Sequence, residues 1–392
     1  MRVCHVWENF WPIQIGGLER YILSLTTYLH KKLNIEFSLI TGRSKLLLVT
    51  KNIRKFEDAG FLKVYRLGPN PVDLVNGVLF TALHSTPELA EKMRFASLCS
   101  EAMDSKVAKS ADIFHVHGIW GLSDLEYANL GLYLSQHFHK PLVVTLHGGF
   151  VGDPLIGGMQ LERPAIKKIL SNADIITTYS KEVHNVLEKM GLVQKTRLIV
   201  NFVDTLQLKN PSPLKHGDII LYVGRLERPQ TPVLLIEAFK QAHARFPNAK
   251  FNIVGYGTLH DHLQGLIHKY NLEGAVSLLG KQTDVRRFLW SSDIFVATTF
   301  GYIASLEAWS AGLAVIGPDF GILRETIDHG SNGLLVKQHD ADDLAAAMIL
   351  LLENRQLRNK LALNGLETVK DYDIRTVSLK IADIYHSLTA HC

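Results

Sequence analysis

Apolar positions along this chain follow two alternating rhythms. Short, nearly unbroken apolar runs, read as strands buried on both faces, occur at residues 2–7, 36–41, 112–117, 141–149, 174–180 and 196–200. They return at 219–223, 251–254, 276–280, 294–297 and 313–317. Between them the spacing lengthens to the helical period: Leu18, Ile22, Leu25 and Leu29 fall on one side of a helix that starts just after Gly16 and Gly17. Helices are likewise expected at 87–110, 165–171, 181–190, 284–290 and from 340 onward. Strand-then-helix repetition predicts an α/β protein of two Rossmann-like, doubly wound domains, residues 1–204 and 218–374. Residues 205–217, with Pro211 and Pro213, read as a linker, and 375–392 as a terminal helix.

The densest signal lies in residues 298–335. Ile303, Leu306, Ala308 and Trp309 can share one buried side of a helix, and Glu307 sits among them. A carboxylate there is costly to bury, so it lies at the helix edge or meets a polar ligand. A small-residue turn at 310–312, a strand, and a second helix entered through Glu325 complete half of a doubly wound sheet. Ligands of such sheets sit outside the carboxyl ends of the strands, where helix N-termini gather. Two of the runs end in His-Gly, at His117 and His147, and these with His115 are candidates for that edge, as is Arg225. Gly16 and Gly17 occupy a strand-to-helix turn, where a steric role and an anion-cradling role are equally open.

Composition narrows the class. With 392 residues, 47% hydrophobic and 20% charged, the chain is globular and long enough for two cores. A formal charge of +4 is too small to argue for nucleic acid, though it suits a nucleotide diphosphate or an anionic membrane surface. Cys4, Cys99 and Cys392 form no CxxC pair, so neither a disulfide framework nor a zinc site is indicated and a cytoplasmic setting is expected. No signal-peptide core and no run of about 18 apolar residues occurs, which leaves peripheral membrane attachment open.

The run Glu307-Ala308-Trp309-Ser310-Ala311-Gly312 resembles the donor-binding segment of the retaining, family-four GT-B glycosyltransferases (glycosyl transferases group 1). There a Glu, seven residues and a second Glu lead into an Ala-rich turn. PIQIGGLE, residues 12–19, is similar to the family's GG-x-E loop, and TLHGG, residues 145–149, to the strand whose terminal histidine lies against donor sugar and acceptor. Asn201-Phe202-Val203-Asp204 is similar to the family's Asn-Gly-Val-Asp turn with Phe202 in the Gly position, and Gly224-Arg225-Leu226 and Gly255-Tyr256-Gly257 resemble further family turns. Thr299 departs from the pattern by standing where the first Glu is usual. Gln230 and Thr231 stand where Lys and Gly would fall, with Arg228 near enough to substitute for the lysine.

The resemblance implies two domains facing a cleft, with the final helix crossing back to the first and Tyr385 as its anchor. It implies a retaining hexosyltransferase that moves a sugar from a nucleotide sugar, UDP-glucose or a similar UDP-hexose, to a saccharide or lipid-linked acceptor in polysaccharide biosynthesis. His147, Arg225 and Glu307 would be the catalytic set, Glu307 receiving the ribose hydroxyls. The donor would contact Gly16, Gly17, Gly224, Arg225, Gly255, Gly257, Lys281, Thr299, Gly301, Tyr302, Ile303 and Glu307. Cations and helix N-termini could stabilise the leaving diphosphate. With no DxD pair flanked by strands, neither a metal nor a cofactor is expected beyond the donor, which is a substrate. A non-catalytic nucleotide-sugar-binding partner of another transferase is the competing reading. A nucleotide-sugar epimerase would need further acids and bases.

Overall fold

A computed structural model of the chain describes residues 1–8, 10, 17–42, 54–68, 87–118, 122–148, 151, 159–210, 217–227 and 232–390. Two compact units emerge: Met1–Val200 together with Ser378–Cys392, and Asn201–Val377.

In the first unit the apolar runs become β1 Arg2–Val6, β2 Glu36–Gly42, β5 Ile113–His117, β6 Leu142–Leu146, β7 Ile175–Thr178 and β8 Thr196–Leu198. Two shorter strands, β3 Phe56–Asp58 and β4 Leu62–Leu67, add an edge. The order is β3-β4-β2-β1-β5-β6-β7-β8. All pairings are parallel except β3 with β4. Residues of β1, β5 and β6 are buried from either face, because crossover helices cover both sides of a parallel sheet. Helix Gly17–Leu33 buries Ile22, Leu25 and Leu29 as its period requires. Leu18, expected on that stripe, is half-buried, and Glu19 beside it is buried instead. The helix expected at 87–110 is divided into Pro87–Asp104 and Lys106–Lys109. The break is chemical: the Ser105 hydroxyl accepts from the Ala108 amide at 3.2 Å, an N-cap that starts a new helix. From Ser378 onward, the final helix Ile374–Thr389 belongs to this unit.

The second unit carries β9 Ile219–Val223, β10 Lys250–Val254, β11 Val276–Leu278, β12 Ile294–Val296, β13 Ala314–Pro318 and β14 Gly333–Val336. They are ordered β11-β10-β9-β12-β13-β14 and all parallel. Each sheet therefore has a point where the strand order reverses, at β1/β5 and at β9/β12. Such points open a crevice beyond the strand ends. Residues 205–210, read from sequence as the start of a linker, are built into this unit: Asp204 caps the short helix Thr205–Leu208, and the Trp290 indole donates to the Leu208 carbonyl at 2.9 Å. Pro211 and Pro213 lie outside the described residues. Glu325 falls in the last turn of helix Gly321–Thr326 and is not its entry, because extended backbone at Phe320 starts that helix four residues sooner than the charge pattern suggests. Among the described residues no helix is long and apolar enough to cross a membrane.

Candidate functional site

Parallel register delivers the ends of β9 to β14 to one edge of the second sheet. Gly224 and Arg225 follow β9, and the Arg225 guanidinium projects into solvent, with 64% of its side chain exposed and Glu227 at 3.9 Å. The next loop, Gly255-Tyr256-Gly257, is stacked on this one. The Gly224 amide donates to the Val254 carbonyl at 3.0 Å and the Leu226 amide to the Tyr256 carbonyl at 2.8 Å. A Cβ on Gly255 would sit 1.9 Å from the Gly224 carbonyl oxygen, and one on Gly257 would sit 2.4 Å from that of Leu226. Glycine at both positions is thus demanded by backbone packing against the arginine loop, whatever else they touch. Lys281, past β11, is exposed and holds its ammonium 5.0 Å from the centre of the Tyr256 ring, itself half exposed.

After β12 the chain turns at Thr298 and enters helix Tyr302–Ser310 through Gly301. The Gly301 amide donates to the Thr298 carbonyl at 2.8 Å, and a Cβ here would press on Ala297 at 2.9 Å, so the helix begins hard against the strand end. The buried face of this helix is Tyr302, Ser305, Leu306, Ala308, Trp309 and Ser310. Ile303, placed on that face by the sequence reading, is half-buried instead and shares the outer side with Ala304 and Glu307. The reason is angular: at 100° per residue, 302, 305–306 and 309 share the buried side while 303 and 307 fall together on the outer one. Glu307 therefore lies at the helix edge, resolving the cost of a carboxylate amid apolar neighbours. Trp309 is core, its indole donating to the Asn332 carbonyl at 3.0 Å. Thr299 lines a small recess with Leu234, Pro318, Lys337, Gln338 and His339, and the Gln338 amide reaches its hydroxyl at 3.4 Å.

The reversal point of the first sheet is lined by imidazoles. His5 of β1, His115 and His117 of β5, and His147 just past β6 are all buried. His5 Nδ1 lies 2.7 Å from His117 Nε2, and His117 Nδ1 lies 3.1 Å from His147 Nε2. His115 bonds Tyr385 through Nδ1 and Thr145 through Nε2, each at 2.6 Å, so the final helix is tied into this cluster. Burial depresses every one of these histidines, His5 and His147 to about 3, which leaves neutral rings. Tyr21 packs edge-on to His147 with centroids 4.9 Å apart, and the Tyr179 hydroxyl donates to the His147 carbonyl. His5, Tyr21 and Tyr179 escaped the sequence reading. His5 was visible only as one polar residue in an apolar strand.

Gly17 opens helix Gly17–Leu33 and is exposed, and a Cβ there would meet no described atom within 4 Å. Packing within the described residues gives no reason for a glycine here. Glu19, two residues on, is buried and accepts from the Trp7 indole at 3.2 Å. Gly16, Arg228, Gln230 and Thr231 lie outside the described residues.

Two family models match the chain in succession: Glycosyltransferase Family 4 over residues 15–207 and Glycosyl transferases group 1 over 205–368. The uncharacterized glycosyltransferase MJ1059 of Methanocaldococcus jannaschii is 31% identical over 258 residues, 54% of this chain and 63% of that protein. A phosphatidyl-myo-inositol mannosyltransferase of Mycolicibacterium smegmatis is 27% identical over 314 residues, 76% of this chain and 77% of that one. Among solved structures, sucrose-phosphate synthase from Thermosynechococcus elongatus superposes with a TM-score of 0.75 at 22% identity over 100% of both chains. Anabaena HepE in complex with UDP gives a TM-score of 0.72 at 18% identity, covering 99% of this chain and 100% of that one. With its two halves matched in order by these models and its fold shared with those structures, the chain belongs to the GT-B glycosyltransferases of family four, glycosyl transferases group 1.

Proposed function

We propose that this chain is a retaining hexosyltransferase that takes a sugar from a UDP-hexose and delivers it to a saccharide or lipid-linked acceptor. The observation that carries the reading is the carboxyl edge of the second sheet, where the exposed Arg225, the start of helix Tyr302–Ser310 and the edge-placed Glu307 all follow the two strands flanking the reversal point. An exposed cation and the positive end of a helix dipole suit a departing diphosphate without a divalent ion. A carboxylate one turn and a half into the helix suits two adjacent ribose hydroxyls, which it can accept in bidentate fashion. UDP in the HepE structure supports the choice of nucleotide.

In the first unit, His147 would meet a hydroxyl of the donor sugar or the acceptor as a neutral ring. Gly17, where a side chain would meet no atom of the described residues, lets a diphosphate approach the backbone at its helix start. Transfer with retention follows if the leaving phosphate takes the acceptor proton on the same face, which asks for no protein base.

One observation favours a second reading, a nucleotide-sugar binder without turnover: Thr299, which stands in the sequence where the family's first Glu is usual, meets only the Gln338 amide in its small recess among the contacts of the described residues. Calorimetric titration with UDP, GDP and their sugar conjugates, followed by a release assay for free nucleotide, separates the two. Binding with release, lowered about 10- to 100-fold in affinity by Glu307→Ala through loss of charge-assisted hydrogen bonds, is the expected result. Binding without release in the presence of acceptor extracts would move the case to the second reading. No binding of any nucleotide would refute both. Release unimpaired by chelator checks metal independence.

A further inference from the structure

The three rings His5, His117 and His147 form an unbranched chain of hydrogen bonds running from the interior of β1 to the end of β6. Both links join one ring nitrogen to another, so each needs one N–H and one lone pair. A neutral imidazole carries one of each. Three neutral rings in series therefore have only two self-consistent proton arrangements, with every N–H aimed toward His147 or every N–H aimed toward His5.

The inner end decides between them. His5 Nε2 is buried and has no hydrogen-bond partner among the described residues. If the protons ran inward, that atom would be a buried N–H with no acceptor. If they run outward it is only an unused lone pair. Orphaned buried donors are the rarer and costlier defect. The same dead end means that the chain cannot pass a proton through the core. His115, although its ring is tilted against that of His117 with centroids 4.1 Å apart, does not interrupt the series, because its two nitrogens are committed to Tyr385 and Thr145.

We infer that His5 and His117 are positioning residues that lock His147 into the one neutral tautomer whose proton sits on Nδ1, so that His147 offers substrate a hydrogen-bond donor and not a base. A hydroxyl or carbonyl oxygen on the sugar is the chemistry that this end of the chain recognises. The consequence for catalysis rests on the transferase reading; the tautomer itself does not.

The test is long-range nitrogen–proton NMR on the ligand-free full chain with 15N-labelled histidine, the His147 signals being assigned by their loss in His147→Asn. The wild type should show His147 as the Nδ1–H form. His5→Phe removes the innermost donor and frees His117 to reverse. It should turn His147 partly or wholly to the Nε2–H form and lower kcat roughly two- to tenfold at unchanged donor KM. His5→Asn, whose amide NH₂ can replace the Nδ1–H donor, should restore both the spectrum and the rate. A wild-type His147 in the Nε2–H form would overturn the proposal, and so would a His5→Phe variant that melts like wild type with its His147 tautomer unmoved. Because the wild-type spectrum decides the tautomer, the inference is tested even if His5→Phe does not fold. A correct spectrum in a protein that binds no nucleotide would sink the transferase reading alone.

Discussion

Gly255→Ala probes how the arginine loop is held in the second unit. The added methyl would stand 1.9 Å from the Gly224 carbonyl oxygen, backbone that has no rotamer to yield. Ordinary contact begins near 3.4 Å, so one loop must move by about 1.5 Å. Three backbone hydrogen bonds resist that movement: Gly224 to Val254, Leu226 to Tyr256 and Leu259 to Leu226. Overpacking of this kind costs about 1–3 kcal/mol. For a unit of this size, each kcal/mol lowers the midpoint by roughly 2–4 °C. The unit's melting transition should therefore fall by about 2–12 °C. Arg225 rides on the displaced loop, and a misplacement of about 1 Å in a catalytic group can cost as much as 100-fold in rate. Differential scanning calorimetry and UDP titration read the two effects separately. A variant that melts and binds UDP like wild type would refute the claim that the stacked loops set the position of Arg225.

Other expectations follow from the same contacts. Gly17→Ala, at an exposed helix start where the added methyl meets no described atom within 4 Å, should leave stability unchanged or raise it by about 0.4–1 kcal/mol while slowing transfer, seen as a normal melt with reduced nucleotide release. Tyr385→Phe strands the buried His115 Nδ1 and should destabilise the first unit by about 1–3 kcal/mol, measured by urea unfolding. His5 and His147 are depressed from 6.5 to about 3 by burial, so the unfolded chain takes up protons first. Their contribution to stability is whole above pH 6.5 and is lost as pH falls toward 3; unfolding midpoints across that window should decline steadily, and His147 should add no inflection near 6.5 to the rate profile.

Much of this was legible in the chain. Parallel strands buried on both faces announce themselves as apolar runs, so β1, β2 and β5 to β13 fall close to their expected places. Positions at strand ends were legible for the same reason: His147 and Arg225 stand just past β6 and β9, where two of the runs stop. What local pattern does not encode is who lies opposite. Glycines 255 and 257 read as ligand-facing turns, but the atoms that require them belong to a loop some thirty residues earlier. His5 looked like a polar interruption of β1, because its partner is His117, 112 residues away. The recess beside Thr299 was hidden likewise, since Gln338 comes from the far side of two further strands.

The bond from His115 to Tyr385 has a bearing on the order in which the protein is made. The first unit takes its last helical residues, from Ser378, only after the whole second unit has left the ribosome. Until then the His115 Nδ1 lacks the hydroxyl that it bonds in the folded chain. The first unit is thus begun early and finished last. A chain cut after Val200 would carry a complete sheet and an incomplete core, and a stalled or clipped terminus would be felt in the half of the molecule that was synthesised first.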